Sequence, residues 1–360
     1  MKLAIAGIGN CASALIQGIH YYKDHDPNEH RGHGLMAHSI GGIAPGDIEV
    51  VAAFDVTADK VGHPLGTAIH AHPNDTLRFA DVPPHHGPRV QRGPLLDGIG
   101  EQLQDVVTLS PDTPVDVAQA LRDSGAEVLV SFLPVGSEHD QKQYAQAALD
   151  AGVGFVNAIP VFIASDPAWA KQFRDAGVPI IGDDIKSQIG ATIVHRSLAR
   201  LIEARGMDIR EMYQLNVGGN SDFLNMIERD RLQSKKISKT QAVTKNLDQP
   251  INPDRVHVGP SDHVPHLTDR KHAIMQIIAD GFGGAEMRMD VRLEVWDSPN
   301  SAGVMMDAVR VAALARRHGI GGPLNAASAF FMKSPPVQVE DFEAMDALQE
   351  FITNLEKGDA

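Results

Sequence analysis

The 360-residue chain predicts an α/β fold: a doubly wound parallel sheet followed by a smaller α+β lobe. Three observations predict it. The apolar run Lys2–Ala6 enters a glycine-rich turn at once and then a stretch with helical spacing. Up to about residue 182, short apolar runs alternate with helical patterns, as a sheet covered on both faces requires. Beyond Asp183 the strand patterns lengthen and lose their intervening helices. The length also exceeds the ~250–300 residues at which a single core stops growing.

The elements follow in order. Residues 2–6 are a strand, and Ala14, Leu15, Gly18, Ile19 and Tyr22 give residues 11–22 a helical face. Residues 23–47, rich in His, Gly and polar side chains, read as a long surface loop. Residues 48–54 form a second buried strand ending at Asp55. Pro and His clusters break 56–113 into loops with short elements. A helix over Val115–Ser124, a strand over Glu127–Phe132 and a helix from Ser137 to about Ala151 come next. A strand at 153–156, a helix at 165–176 and a strand at 178–181 complete the first lobe. The second lobe reads as a helix at 187–205, a strand near 209–217, a loop and helix at 218–233, and a Lys-rich stretch with a Pro-bearing loop. Strands at 273–279 and 286–296, largely antiparallel, and a helix at 300–318 end it. Residues 323–352 are helical and return to the first lobe. The expected division is 1–182, 183–322 and 323–360.

The 32 Lys and Arg against 46 Asp and Glu give a net charge of -14, which disfavours nucleic acid and anionic membrane surfaces as partners. An anionic small molecule still fits if its site is locally basic. Cys11 is the one cysteine, so no internal disulfide forms, which suits a reducing compartment. The chain opens on a strand, and no apolar run reaches the ~20 residues of a membrane span. A cytoplasmic protein is the expectation.

Gly7-Ile8-Gly9-Asn10-Cys11-Ala12 fits G-x-G-x-x-[GA], placed between the first strand and a helix. Gly7 permits the tight turn, Gly9 lets backbone approach a pyrophosphate, and the helix N-terminus attracts its charge. This is a Rossmann-type signature. Asp55, ending the second strand, is the candidate for the adenosine ribose hydroxyls and favours NAD; its bland alternative is an Asp opening a turn. It lies about twice as far along as the usual ~20-residue offset, which the 23–47 loop accounts for. Cys11 reads as a small buried residue rather than a reactive thiol.

Ser234-Lys235-Lys236-Ile237-Ser238-Lys239-Thr240 is basic and hydroxyl-bearing inside an acidic chain. Lys235 and Lys239 are one helical turn apart, which suits a phosphate as well as acid–base work; a solvated charged face is the even alternative. Asp183-Asp184-Ile185-Lys186-Ser187, leading to Gly190 and Thr192, is a second anion cradle at a helix start. Asn216 to Asp222 is a polar Gly-rich loop suited to a sugar, or simply a turn. His25, His30, His33 and His38 lack the spacing of a metal site, and no metal site is assigned.

These motifs, with Leu133-Pro134-Val135-Gly136-Ser137-Glu138 and Trp296 to Gly303, resemble inositol-3-phosphate synthases of the short bacterial form, from residue 1 to about 352. The resemblance implies a Rossmann lobe, a catalytic lobe whose sheet supports a homotetramer, and NAD-dependent cyclisation of D-glucose 6-phosphate to 1D-myo-inositol 3-phosphate. It implies Lys235, Lys239, Lys271, Lys333, Asp184 and Asp297 as catalytic residues. It places Pro134, Tyr144, Ser187, Asp222 and Lys235, with Ser124, at the dinucleotide. It places Ser187, Gly190, Thr192, Asn216, Asn220 and Lys239 at the substrate phosphate. Some members of the family use a divalent or monovalent cation. Long eukaryotic forms carry a lysine within the segment that here reads Gly259–His263; none stands there, and Lys271 looks like the substitute. The competing readings are an NAD dehydrogenase, a cyclase for another sugar phosphate, and a non-catalytic NAD sensor.

Overall fold

The computed structural model describes residues 1–24, 34–227 and 251–358. Strands β1 (Lys2–Ala6), β2 (Glu49–Asp55), β3 (Gln91–Arg92), β4 (Val128–Ser131), β5 (Gly154–Asn157), β6 (Pro179–Ile181) and β11 (Gly322–Pro323) make one sheet in the order β11-β6-β5-β4-β1-β2-β3. Every pairing in it is parallel. Successive side chains of β1 serve opposite faces. Leu3 and Ile5 join the core under the helices Asn10–Tyr22 and Asp297–Arg317, while Ala4 and Ala6 join the core under Val117–Ser124 and Glu138–Ala151. The strand order reverses between β1 and β4, so the crevice for a ligand opens there, at the carboxyl ends of the strands.

A buried hydrogen-bond chain fixes that rim. Ser131 donates to Gln141 (2.6 Å), Gln141 to Asn157 (2.7 Å) and Asn157 to Asp183 (2.7 Å). The Asp183 carboxylate also accepts the backbone N–H groups of Ile163, Ala164 and Ser165. The turn after β6 is therefore tied to the ends of β4 and β5.

The second sheet contains β7 (Asp208–Gly218), β8 (Val256–His263), β9 (Arg270–Asp280) and β10 (Glu286–Trp296), in the order β10-β9-β7-β8. Two pairings are antiparallel, and β8 runs parallel to β7. Strand β8 was not expected, because its Gly259-Pro260 interrupts any strand pattern. The helix Ala191–Ala204 covers one face through Ala199 and Ile202 against Met212 and Ile277. It starts four residues later than expected, after Gly190. The sheet of the second lobe ends at Trp296; the helix Asp297–Arg317 packs on Asn10–Tyr22, and Gly322–Pro323 adds to the first sheet, so the chain returns to the first lobe earlier than the boundary at 322. No helix among the described residues is long and apolar enough to cross a membrane.

Candidate active site

Gly7 has φ +83°, and a Cβ there would lie 2.8 Å from the Phe132 carbonyl oxygen, so glycine is required where β1 and β4 part. Gly9 caps the following helix without a side-chain hydrogen bond, and a Cβ on it would meet nothing within 4 Å. The backbone at this helix start can therefore be approached closely beside its amides, which fits a pyrophosphate. Ala12 is fully buried beneath them, and exposed Pro134 stands beyond the end of β4. Asn10 turns aside: it donates to Asp75 Oδ1 (3.0 Å) and accepts from Asp75 N and Thr76 Oγ1.

Asp55 clamps the turn. Its Oδ2 accepts from Ile8 N (2.8 Å), and its Oδ1 accepts from Val56 N, Thr57 N and the Thr57 hydroxyl. Burial works against the charge, but Lys60 and these N–H donors hold the carboxyl below its usual range. Its hydrogen-bonding capacity is largely spent on the protein, so the structure gives it a holding role at the turn.

The Cys11 thiol is pushed up by burial and by the carboxylates of Asp297, Asp269 and Asp222, so it stays protonated beside Ser298. These acids come from the second lobe and from the start of the long helix. The Gly-rich turn therefore adjoins the second group of predicted residues.

In that group Lys271, near the start of β9, lies 3.1 Å from Asp297 Oδ1. Burial opposes the Lys271 ammonium, but Asp297, Asp222 and Asp184 outweigh it and hold its pKa above the ordinary lysine value. The ammonium also lies 5.7 Å from the Phe223 ring centre. Lys333 donates to Asp184 Oδ1 at 3.0 Å, and Lys333 N donates to the Asp184 carbonyl. Asp184 holds φ 60°, an unusual backbone for a non-glycine residue and one often found at functional sites. One small cavity is lined by Ser187, Gly190, Lys271, Asp297 and Asn300. The Ser187 hydroxyl is 3.3 Å from that of Ser301. Two lysines held by fixed carboxylates beside a helix N-terminus can handle protons and meet negative charge.

Ser124 is placed elsewhere, and several other predicted residues are held by neighbouring groups. Ser124 ends the helix that precedes β4, at the amino end of the sheet, and donates to Leu121 O; the carboxyl-end crevice is on the other side. Tyr144 is only 1% exposed on the inner face of its helix, its ring 6.0 Å from that of Phe54, and burial together with the charge of nearby Asp55 pushes its phenol up. Asn216 donates to Gly259 O (2.8 Å) and accepts from Gln214. Asn220 caps the helix Ser221–Asn225, accepting from Asp222 N and Phe223 N. Both carboxamides are committed inside the lobe rather than offered to a phosphate, because Asn216 points into a sheet and Asn220 precedes a helix. Thr192 is buried in the first turn of its helix. Lys235, Lys239, His25, His30 and His33 lie outside the described residues, and among the described residues no group of three or more His, Cys, Asp or Glu could hold a metal.

Sequence reasoning gave no role to Asp269 or Asp75, and it named Lys186 in the second anion cradle without joining it to Arg196 and Asp341. Lys186 donates to Ala329 O (2.6 Å) and Asp341 Oδ1 (3.0 Å), and Arg196 Nε donates to Asp341 Oδ2 (2.8 Å). This cluster pins the C-terminal helix behind Lys333. Asp269 had a faint signal, standing two residues before Lys271.

Fold and site together define an α/β enzyme with a Rossmann-type crevice and a lysine–carboxylate centre to which both lobes contribute. Sequence comparison gives the family within that class. An inositol-3-phosphate synthase of Corynebacterium glutamicum is 57% identical over 357 residues, 98% of each chain. One of Mycolicibacterium smegmatis is 56% identical over 356 residues, again 98% of each. The chain belongs to the inositol-3-phosphate synthase family, a family of isomerases. A family model described as myo-inositol-1-phosphate synthase matches residues 190–298. Among solved structures, that of Ari2 superposes with a TM-score of 0.80 at 35% identity over 99% of both chains. A myo-inositol-1-phosphate synthase-related protein from Thermotoga maritima shares the fold, with a TM-score of 0.77 at 21% identity over 98% of both.

Proposed function

We propose that this chain, as an NAD-dependent homotetramer in the cytoplasm, converts D-glucose 6-phosphate to 1D-myo-inositol 3-phosphate. The observation that carries the reading is that Lys271 and Asp297 line one cavity with Ser187 and Gly190, next to the Gly-rich turn. The amides at Gly9 and Asn10 hold the dinucleotide pyrophosphate. NAD, when bound there, would supply a hydride acceptor for C5 of the sugar and the later return of that hydride, with no net redox change. Ser187, the helix start at Gly190 and Lys239 hold the substrate phosphate. The C5 ketone acidifies the C6 proton; its removal gives an enolate, which closes on the C1 aldehyde. Negative charge grows on both oxygens, and Lys271 and Lys333, fixed by Asp297 and Asp184, stabilise it. Lys235 and Lys239 complete the set of ammonium groups.

The test is incubation with glucose 6-phosphate and a catalytic amount of NAD. Inositol phosphate should accumulate without build-up of reduced cofactor. Stoichiometric cofactor reduction with no inositol phosphate would instead make the chain a dehydrogenase.

A further inference from the structure

Asp269 is fully buried and stands between the two halves of the site. Its Oδ1 accepts from the Ser298 hydroxyl (2.7 Å) and from Asn220 Nδ2 (3.1 Å), and its Oδ2 accepts from Ser298 N (3.3 Å). Its main-chain carbonyl accepts from Asp297 N at 2.9 Å. Each of these bonds fixes a different carrier of the site. Asn220 caps the helix that bears Asp222. Ser298 opens the long helix that bears Asp297, and its hydroxyl also reaches the Cys11 thiol on the dinucleotide turn. Lys271 lies two residues further along the chain.

We propose that Asp269 is a positioning residue for the cyclisation: its carboxylate gathers the segments bearing Asp222, Asp297 and Lys271 against the dinucleotide turn. The inference rests on the cyclase reading above. Three donors converge on the carboxylate and nothing on it needs to donate, so the ionised form is the one the site is built around. Protonation would cost an acceptor position, since Asn220 Nδ2 and Ser298 N can only donate. Burial is the largest influence on its proton, and the nearby charges of Asp297 and Asp75 add to it; together they raise Asp269 to about 7, against the pull of the Ser298 and Asn220 hydrogen bonds. The other titratable groups facing this knot are Lys271 on β9, Asp222 on the Ser221–Asn225 helix, Cys11, and His263, which lies near Asp75. Burial thus draws the titration of this carboxyl up towards neutrality, where its proton bears on the alignment of the site.

The experiment compares wild type, Asp269→Asn and Ser298→Ala, each saturated with NAD, from about pH 5.5 to about pH 9. Inositol phosphate formation gives kcat and KM for glucose 6-phosphate. In wild type, kcat should fall as pH drops through about 7. Asp269→Asn should lose at least about tenfold in kcat, with KM moving less than about threefold, and its acid limb should flatten. Ser298→Ala keeps the carboxylate but removes a bond to its charged form, so its acid limb should move to higher pH. A folded Asp269→Asn enzyme with wild-type kcat, or with the wild-type limb, overturns the proposal. If Asp269→Asn does not fold, an unmoved limb in Ser298→Ala overturns it. No inositol phosphate from wild type would instead remove the cyclase reading itself, and this proposal with it.

Discussion

Replacing Lys271 with Met keeps most of the unbranched side chain and removes its ammonium group. At 3.1 Å from Asp297, and with an effective dielectric of ~20, the pair attracts by about 5 kcal/mol before desolvation is subtracted. A developing oxyanion held at a similar distance would feel an attraction of the same order. Much of it is offset by the cost of burying the ammonium, the largest influence on this group. Loss of one preorganised donor to an oxyanion typically costs ~10²–10³-fold in kcat, and that is the range expected for Lys271→Met. Asp297 would then stand unpaired beside Asp269, so some loss of thermal stability should accompany it. The assay is inositol phosphate formation at saturating NAD, with NAD affinity and circular dichroism as controls. Exchange of label from C6 of the substrate reports enolisation separately from the hydride step. Lys271→Met should lose exchange and turnover together while still binding NAD. Turnover within about threefold of wild type would refute the idea that this ammonium carries transition-state charge.

Lys239→Ala should abolish turnover while NAD binding survives; near-normal turnover would remove Lys239 from the site, and steady-state rates with a cofactor titration decide it. Gly7→Ala forces a side chain onto a backbone with φ +83° and into the Phe132 carbonyl, so it should cost more than about 1 kcal/mol and at least about tenfold in NAD affinity. Thermal melts and NAD titration check both, and unchanged affinity would argue against a dinucleotide at that turn. Burial, helped by Arg196 and Lys333 and opposed by Asp341, holds Lys186 down to about 8 from 10.5. Between those values the unfolded chain binds more protons than the folded one, so stability from this group rises as pH climbs from about 8 towards 10.5. Lys186→Met should lose that rise in melts taken across the interval, and identical slopes for the two proteins would show that Lys186 does not titrate there.

The first lobe was legible because its signals are local. The run of Lys2–Ala6 into Gly7, the short strands and the helix caps each sit within a few residues, and their alternation implies a parallel sheet, although not its strand order. The paired lysines and acids at 184, 271, 297 and 333 were legible only through resemblance, since no spacing rule joins residues about 150 positions apart. The misplaced residues share one physical feature. Asn216 and Asn220 carry polar groups suited to a ligand, yet each is used up by neighbours: a strand carbonyl for one, a helix start and a buried carboxylate for the other. Residue type says what a side chain can bond, not whether a fold has already taken the bond. Asp269 is the reverse case, an ordinary residue made central by the donors that folding brings to it.

The long helix Asp297–Arg317 explains how distant motifs become one site. Its first turn presents Asp297 to Lys271 and Ser298 to Asp269 and Cys11. Its middle packs on the helix that follows the Gly-rich turn. Further along, buried Arg310 donates to the carbonyls of Ala37, His38 and Ile43, while Asp307 accepts from Met36 N. Those carbonyls belong to the loop that doubles the distance between Gly7 and Asp55. The insertion is thus held by the same helix that delivers Asp297 to the crevice. A change at Arg310 would strand buried carbonyls, each costing on the order of 1–3 kcal/mol, and would loosen the helix from the loop side. Its effect would reach the Lys271–Asp297 pair through the helix axis, although Arg310 itself lies more than three turns along the helix from Asp297.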